Sequence, residues 1–511
     1  MMPAQSMLVL PLLLPLFTAA LTALLWRHGL LQRVASLAGT LALLAVACAL
    51  LAQTADGTIL AAQMGGWAAP FGISLVIDTI AAIMLVITGL MAVAVAVYGF
   101  GPGGAARDQA GFHPLFHGLL LGVCGSFATG DIFNLYVWFE VMLISSFGLL
   151  VLDRTSEQLD GGVRYVMLNL IGTTFFLMAV GMLYGVTGTL NMADLARVVP
   201  QMENQGLIAA IGMLLLVAFG AKAAVFPLFN WLPASYHTAS MPVVAIFAAL
   251  LTKVGVYAIV RVYTLVFAHD MGFFGPLFTW IAIATMVIGV LGAAAHYDVR
   301  KILSFHIISQ IGYMLIGLAL MTPLALAGSI LYIVHHIVVK ANLFLLAGAI
   351  RQHGGSFLLA RLGGLWRTTP LLGLLFLIPA LSLAGVPPLS GFWGKLAVIR
   401  AGLQEHAYVL AGAALAVGLL TLYSMIKIWN EAFWKREPVA RPQRAWTRAQ
   451  QVATYIPIVA LACVTLTIGL YTEPFAALSF SAAEQLLDRQ AYIDAVLQAA
   501  PVPPAEAGVT P

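Results

Sequence analysis

The sequence predicts an all-α polytopic membrane protein with about fourteen transmembrane helices, and three observations support this fold class. The 511-residue chain is 61% hydrophobic and only 9% charged, and its mean hydropathy is +0.98. Soluble domains carry about 25% charged residues. Apolar stretches of about 20 residues, the length that crosses a bilayer, recur along the chain. The sequence has no basic patch or long polar tract, so soluble, disordered and nucleic-acid-binding proteins are excluded.

The apolar stretches define the predicted spans in chain order. They lie at 6–26, 34–53, 73–98, 114–130, 132–152, 163–187, 206–232, 242–266, 273–295, 301–320, 324–350, 370–400, 408–433 and 451–471. The stretch 54–72 is polar and Gly-rich, which predicts an extramembrane turn or hairpin. The tail from Glu473 onward contains Pro501, Pro503 and Pro504, and we expect it to be partly disordered.

Lys and Arg are distributed unevenly between alternate loops, which predicts the orientation in the membrane. One set of loops carries fifteen: Arg27, Arg33, Arg107, Arg154, Arg164, Arg300, Lys301, Arg351, Arg361, Arg367, Lys435, Arg436, Arg441, Arg444 and Arg448. The opposite set, the tail and one helix end carry four: Arg197, Arg261, Arg400 and Arg489. This asymmetry predicts a cytoplasmic 435–448 loop and both termini outside a bacterial cytoplasmic membrane. The first apolar segment precedes Arg27 and is expected to be an uncleaved helix.

Cysteine usage argues against a metal or redox centre. Cys48, Cys124 and Cys463 all fall within predicted spans and have no metal-ligand spacing. We expect them to be small buried apolar residues. No Gly-rich dinucleotide loop follows a strand, and no acidic cage lies within the spans. The sequence therefore predicts no cofactor.

A small set of ionisable residues lies deep in the predicted spans. The set comprises Asp78, Glu140, Lys222, Lys253, Lys340 and Lys395, with His306, His335 and His336 as further titratable groups. A charge at mid-bilayer costs at least about 2.5–3.5 kcal/mol, so such residues are retained for a function. One clear mid-membrane acid cannot pair with four lysines, and a buried lysine can change its charge near neutral pH.

Three charged residues near span ends have simpler interpretations. Lys427 is expected to snorkel, with Glu431 as its i+4 partner. Asp78 is near the outer end of its span, where a solvated or capping role competes with a role in a proton relay. His335 and His306 could be packed polar residues or relay groups.

Two predicted spans are broken by proline beside a lysine. Pro227 interrupts the seventh span after Lys222, and Pro387 and Pro388 interrupt the twelfth before Lys395. Free backbone groups at that depth occur only where they are buried in protein or line a wet cavity. Spans seven and twelve are five apart, which predicts two inverted five-helix units, spans 4–8 and 9–13, with a transport site near the midplane.

This repeat divides the chain into four expected parts. They are three N-terminal helices with a hairpin (1–113), the first unit (114–266), the second unit (267–434), and a basic loop, last helix and outer tail (435–511). Our hypothesis is that Lys and His side chains, bridged by water, carry protons across the central plane. Glu140 would control the charge of Lys222, and Lys253, His336 and Lys340 would lead the proton to Lys395.

These motifs resemble the proton-translocating antiporter-like family. That family includes antiporter-like subunits of respiratory complex I, membrane subunits of hydrogenases and subunits of Mrp-type multisubunit sodium/proton antiporters. The resemblance covers about residues 70–435 and lies in the Glu of span five, the Lys before a Phe-Pro break, Thr252–Gly255, Ser309–Tyr313, His336-x3-Lys340 and Pro387–Phe392. The stretches 129–142 and 226–236 are most similar to D-type subunits of the Mrp antiporters.

The resemblance implies a role for six of the buried residues. They are Glu140, Lys222, Lys253, His336, Lys340 and Lys395, which would form the proton pathway. Two positions depart from the pattern of the related large complex I subunit. Tyr332 stands where a His is common, with His335 nearby, and His306 replaces a small hydroxyl residue.

The leading functional hypothesis is a non-enzymatic subunit that couples proton influx to Na⁺ export. The resemblance implies partners: a large A-type subunit and several small membrane subunits. The alternative is a proton-pumping membrane subunit of complex I or a membrane-bound hydrogenase, whose neighbours would hold iron–sulfur or quinone sites. A third possibility, a structural scaffold, requires the buried lysines to be inert.

Overall fold

The computed structural model describes residues 4–437 and 446–499. The helices of the first half are α1 (Ala4–Leu24), α2 (Gly29–Thr54), α3 (Thr79–Gly99), α4 (Gly104–Gln109), α5 (Phe112–Ala128), α6 (Ile132–Leu150), α7 (Ser156–Thr187), α8 (Met192–Val198), α9 (Gln205–Ala223), α10 (Trp231–Ser235) and α11 (Met241–Ile246). Those of the second half are α12 (Thr252–Leu265), α13 (Met271–Ala295), α14 (Val299–Leu320), α15 (Pro323–Gly354), α16 (Leu365–Thr368), α17 (Pro370–Ala384), α18 (Ser390–Gln404), α19 (Tyr408–Trp429), α20 (Arg448–Leu470), α21 (Glu473–Leu487) and α22 (Arg489–Leu497).

The predicted helical membrane fold is confirmed. Twelve helical segments within the described residues are long and apolar enough to cross a membrane. The two remaining predicted spans, 114–130 and 370–400, match the shorter α5 and the interrupted pair α17–α18. The number of fourteen crossings and the inverted repeat stay predictions.

Side-chain caps define where many of these helices begin. The carboxylates of Asp78, Asp131 and Asp298 accept hydrogen bonds from the first turns of α3, α6 and α14. The hydroxyls of Thr155 and Thr322 do the same for α7 and α15. Each cap pairs one of the backbone donors that a helix start leaves free.

A β-hairpin lies between α2 and α3, where the sequence predicts a turn or hairpin. Strands β1 (Leu60–Gln63) and β2 (Ser74–Ile77) pair antiparallel, with Leu60 opposite Ile77. The predicted start of the third span at residue 73 is wrong, because residues 74–77 pair as a strand and the helix begins only at Thr79.

The tail, for which the sequence predicts partial disorder from Glu473 onward, begins with two helices in the part that the structure describes. Pro474 occupies the first turn of α21, where its missing N–H costs nothing. Helix α22 packs against β1, where Gln63 Nε2 donates to the Val496 carbonyl at 2.9 Å, and α21 packs against α15 and α3. Pro501, Pro503 and Pro504 lie outside the described residues, as do Arg441 and Arg444 of the predicted cytoplasmic loop.

The core of the molecule consists of helices that are buried on all sides. The segment Met241–Leu265 is entirely buried, and α14 and α15 are nearly so, whereas α1, α2 and α7 expose rows of leucine and other apolar side chains. A helix that is apolar all round and enclosed by others is typical of a bundle core. All three cysteines are free, as predicted, but only Cys124 is buried; Cys48 and Cys463 are exposed on outer helices, which corrects their predicted burial.

Candidate functional site

The buried lysines and histidines lie on helices that pack against one another in series. Helix α9 carries Lys222 and packs on α12, which carries Lys253. Helix α12 packs on α14, which carries His306, and α14 packs on α15, which carries His336 and Lys340. Helix α15 then packs on α18, which carries Lys395. The structure therefore brings the predicted residues of both halves into one buried band.

The first helix break lies directly after Lys222, as predicted. Helix α9 ends at Ala223, and Ala224 adopts the left-handed conformation with φ of 59°. The Phe226–Pro227 peptide bond is cis. Groups from neighbouring segments pair the freed backbone: Trp231 Nε1 donates to the Ala221 carbonyl at 2.9 Å, and Phe226 N–H donates to Thr285 Oγ1 at 3.0 Å. These backbone groups are thus paired within the protein, while Pro227 itself is exposed.

Lys222 and Glu140 do not form a direct ion pair. Lys222 is 3% exposed, and its Nζ atom is 5.7 Å from the centre of the Phe139 ring. Neither Lys222 Nζ nor Glu140 Oε1 has a hydrogen-bond partner within residues 4–437 and 446–499. The predicted influence of Glu140 on Lys222 would therefore act through space, without direct contact.

Lys253 occupies a local irregularity in the most deeply buried segment. Residues Phe247–Leu251 form a π-helical turn between α11 and α12. Lys253 is fully buried and its Nζ donates to the Ala248 carbonyl. The wider turn of a π-helix frees carbonyl groups, and such turns are common at functional sites.

His336 and Lys340 are one turn apart on α15, on one face, as predicted. Lys340 Nζ donates to the Leu303 carbonyl of α14 at 3.2 Å. Both ring nitrogens of His336 are buried without a hydrogen-bond partner among the described residues. The centre of the band therefore combines one amine that is hydrogen-bonded to a carbonyl and one imidazole without a hydrogen-bond partner among the described residues.

Lys395 binds the second helix break. Helix α17 ends at Ala384, and Gly385 follows with φ of 92°, before α18 begins at Ser390. Lys395 Nζ donates to the carbonyls of Leu383 and Ala384 at 2.9 and 3.1 Å and lies 4.7 Å from the Tyr313 ring centre. A cation at a helix C-terminus meets unpaired carbonyls and the negative end of the helix dipole.

The structure distinguishes the two histidines whose roles the sequence left open. His335 Nδ1 is 2.7 Å from Ser390 Oγ, which is 2.8 Å from Ser382 Oγ, so His335 links α15 to both halves of the broken helix. His306 is fully buried, and neither ring nitrogen has a partner in the described part of the chain. Tyr332 donates its hydroxyl to Gln310 Oε1 and stacks near His335. Sequence reasoning did not identify Ser390 as a partner, although it lies within the quoted Pro387–Phe392 motif.

Asp78 caps α3, which confirms the capping role that was one of the alternatives, but it is a buried ion-pair partner and not solvated. It is 1% exposed, accepts from Ala81 N–H at 3.0 Å, and binds Arg261 Nη2 at 2.5 Å. Arg261 also donates to Tyr257 Oη at 3.2 Å and lies over the Tyr492 ring of α22. The sequence signal was available: opposite charges near the outer ends of the third and eighth spans.

Lys427 has different partners from the predicted one. Its Nζ donates to the carbonyls of Ala294 and His296 at the end of α13, at 2.7 and 2.8 Å. Glu431 instead pairs with Lys435 at 2.9 Å. The carbonyls at the end of a helix are left without backbone partners, so they accept hydrogen bonds from Lys427 in place of the Glu431 carboxylate.

A cavity of 1210 Å³ lies at one end of the molecule. Arg107, Arg300 and Arg351 line it, and all three belong to the basic loop set. Its lining includes Gly348, which is two turns of α15 from Lys340. The cavity therefore reaches from the basic end of the molecule toward the buried band.

Comparison with known proteins identifies the family. Residues 129–421, which contain the whole buried band, match the NADH:quinone oxidoreductase/Mrp antiporter transmembrane family. The chain belongs to this family. It is 43% identical over 494 residues to the D-type subunit of the Na⁺/H⁺ antiporter of Alkalihalophilus pseudofirmus, covering 97% of this chain and 100% of that protein. It is 39% identical over 495 residues to the protein of the same name from Bacillus subtilis, with the same coverage.

Solved structures have the same fold. A chain in the structure of the Mrp complex from Dietzia sp. DQ12-45-1b superposes with a TM-score of 0.90 at 34% identity, covering 97% of this chain and 100% of that chain. A chain of respiratory complex I from Thermus thermophilus superposes with a TM-score of 0.79 at 23% identity, covering 94% and 99%. The second likeness shows the fold alone. The predicted resemblance to D-type antiporter subunits is thus confirmed.

Proposed function

We propose that this chain is a proton-translocating subunit of a multisubunit Na⁺/H⁺ antiporter in the bacterial cytoplasmic membrane. Two relatives that match nearly its full length are named as D-type subunits of Na⁺/H⁺ antiporters. The similar Mrp chain belongs to a solved complex. The chain works as one subunit beside a large A-type subunit and several small membrane subunits, and it is a transporter subunit rather than an enzyme.

The observation that carries the proposal is the buried band itself. Lys222, Lys253, Lys340 and Lys395 are all 5% exposed or less, in helices suited to cross a membrane. Placing a charged lysine at this depth costs free energy, and residues that gain and lose protons during transport would account for keeping four of them. Lysine suits this role because its charged form is easily disfavoured by burial.

The proton moves along this band in our proposal. Glu140 biases Lys222 toward its charged form when the two approach and releases it when they separate. Lys253, His336 and Lys340 pass the proton laterally, with His306 and His335 as side groups. Lys395 is the terminal group, where carbonyls of the broken helix stabilise the charged amine.

The sidedness of the chain follows from its basic residues. The cavity lined by Arg107, Arg300 and Arg351 faces the cytoplasm in our proposal, because basic residues concentrate on that side. Both termini are then outside. The units 114–266 and 267–434 act as two inverted halves, each with one broken helix and one lysine beside the break.

The alternative function is a proton-pumping membrane subunit of a redox complex. It is favoured by a TM-score of 0.86 at 27% identity to a chain of the membrane-bound sulfane sulfur reductase, described as an archaeal respiratory membrane complex. The identities of 43% and 39% to antiporter subunits favour the first function. Purifying the native complex and identifying its subunits separates the two.

The experiment that tests the proposal measures Na⁺-dependent proton movement in everted membrane vesicles that contain the complete complex. Lys222→Ala should lower the Na⁺-dependent signal to background, because the first amine of the route is removed. Lys435→Ala is the matched control, since Lys435 is 38% exposed on its side chain and pairs with Glu431 at the surface. Wild-type antiport by an assembled Lys222→Ala complex would contradict the proposal.

A further inference from the structure

A small cavity adjoins Lys222 at the contact between α7 and α9. Its volume is about 10 Å³, and its lining combines Lys222 with Asn169 and Thr173 and otherwise consists of aromatic and small residues. The helices approach closely at this point, because a Cβ on Gly172 would lie 3.1 Å from Ala221 Cβ. The cavity is therefore confined to the immediate surroundings of the Lys222 side chain.

Asn169 is oriented with an acceptor available beside this cavity. Its Nδ2 donates to the Tyr165 carbonyl at 2.8 Å, which fixes the orientation of the amide and leaves Oδ1 as an acceptor. Asn169 is 3% exposed, and Oδ1 has no hydrogen-bond partner in residues 4–437 and 446–499. Burying such a group without a partner costs about 1–3 kcal/mol.

The cavity has the size and chemistry of a single-water site. About 10–15 Å³ of probe-occupied volume holds one water, provided that two to four polar groups bind it. Lys222 Nζ supplies a donor, Asn169 Oδ1 supplies an acceptor, and Thr173, whose hydroxyl donates to the Leu170 carbonyl at 3.1 Å, lines the same space. We infer that Asn169 holds a water molecule against Lys222 and is a positioning residue for proton transfer at that amine.

This inference rests on the proposed function and adds a residue to it. The water accepts a hydrogen bond from the Lys222 ammonium and donates one to Asn169 Oδ1, so it stabilises the charged lysine, whose Nζ has no hydrogen-bond partner among the described residues. Glu140 on α6 is the charged group whose Coulomb interaction reaches Lys222 among the described residues. Asn169 and Thr173 face it from α7 and carry no charge.

The test compares two substitutions in vesicles that contain the complete complex. Asn169→Leu removes the acceptor at similar volume and should lower the rate of Na⁺-dependent proton movement about tenfold, because the water bound to the Lys222 ammonium loses the acceptor that holds it in place. Asn169→Asp keeps the oxygen and adds a negative charge beside the water. It should retain at least about a third of the rate and shift the pH profile of antiport upward by about one unit.

A control variant and a measurement of assembly make the outcomes distinguishable. Thr174→Leu alters an exposed position on the same helix and should leave both rate and pH profile unchanged. Subunit co-purification reports assembly; if Asn169→Leu does not assemble, the nearly isosteric Asn169→Asp decides by its pH profile. A wild-type rate for assembled Asn169→Leu, or an unshifted profile for Asn169→Asp, would overturn the inference. Full antiport by Lys222→Ala would instead refute the proposed function.

Discussion

Asp78 and Arg261 illustrate how a charged pair can be structural in a membrane protein for whose other buried charges we propose a role in proton transfer. Their side chains are 1% and 5% exposed, and the pair joins α3 to α12 beside the tail helix α22. Removing one partner leaves the other charge buried and uncompensated. The pair therefore stabilises the C-terminal end of the same helix that carries Lys253.

The first prediction concerns the stability that this pair provides. Asp78→Asn should destabilise the protein by about 3–5 kcal/mol, because Arg261 would keep its buried charge without a counter-ion. The measurement is the apparent melting temperature of the purified complex in detergent. Asp160→Asn is the control, since its ion pair with Arg164 is exposed and worth at most about 1 kcal/mol. Equal melting temperatures for both variants would show that Asp78 is dispensable.

A second prediction at the residue scale concerns Asp131, which caps α6 from outside the span. Burial raises the pKa of Asp131 from its ordinary value of 3.8 to about 6, so the folded protein binds this proton more tightly than the unfolded chain. Its contribution to stability is full below pH 3.8 and is lost as pH rises through 6. Asp131→Asn keeps the cap and removes the ionisation. We therefore expect Asp131→Asn to raise the melting temperature above that of wild type, and by more at about pH 8 than at about pH 5. An increase that is independent of pH would contradict this.

At the scale of elements, the contact between α9 and α12 fixes the distance between the first two lysines of the band. A Cβ on Gly255 would lie 2.5 Å from the backbone nitrogen of Ala223, at the point where α9 ends. Backbone cannot yield as a flexible side chain does, so a larger residue must separate the helices.

The prediction for this contact is that Gly255→Val lowers antiport severalfold and also lowers the melting temperature, because overpacking typically costs about 1–3 kcal/mol. Gly272→Ala is the control, since its Cβ would meet no atom within 4 Å. The measurement is Na⁺-dependent proton movement in vesicles with matched amounts of complex. Full activity of Gly255→Val would show that the separation of Lys222 and Lys253 is not critical.

The elements differ in how well local sequence predicts them. The two helix breaks were predictable because proline removes a donor and clashes within its own turn, a purely local effect at Pro227 and Pro387. The register of β1 with β2 and the folding of the tail into α21 and α22 depend on distant partners, such as Gln63 with Val496. For the same reason the carbonyl partners of Lys427 could not be read from its own helix.

For the molecule as a whole, the low charge content predicted that its helices lie in a lipid bilayer. The few charges left within the apolar helices predicted the candidate site. The cost of intramembrane charge is large, so Lys222, Lys253, Lys340 and Lys395 could be identified without a structure. Their arrangement on helices that pack in series needed the tertiary fold. Neutral groups such as Asn169 and Ser390 carry no comparable cost, and sequence reasoning did not find them.

In our proposal, protons cross the molecule through the amines of the buried band. Lys340 lies in the middle of this band. The most direct measurement is ΔpH-driven, Na⁺-dependent proton flux in proteoliposomes of the purified complex, comparing wild type, Lys340→Met and the surface control Lys435→Met. We predict that Lys340→Met lowers the flux to the level of empty liposomes while the control keeps the wild-type flux. An assembled Lys340→Met complex whose flux stays within about twofold of wild type, well under one tenfold step in rate, would contradict the claim.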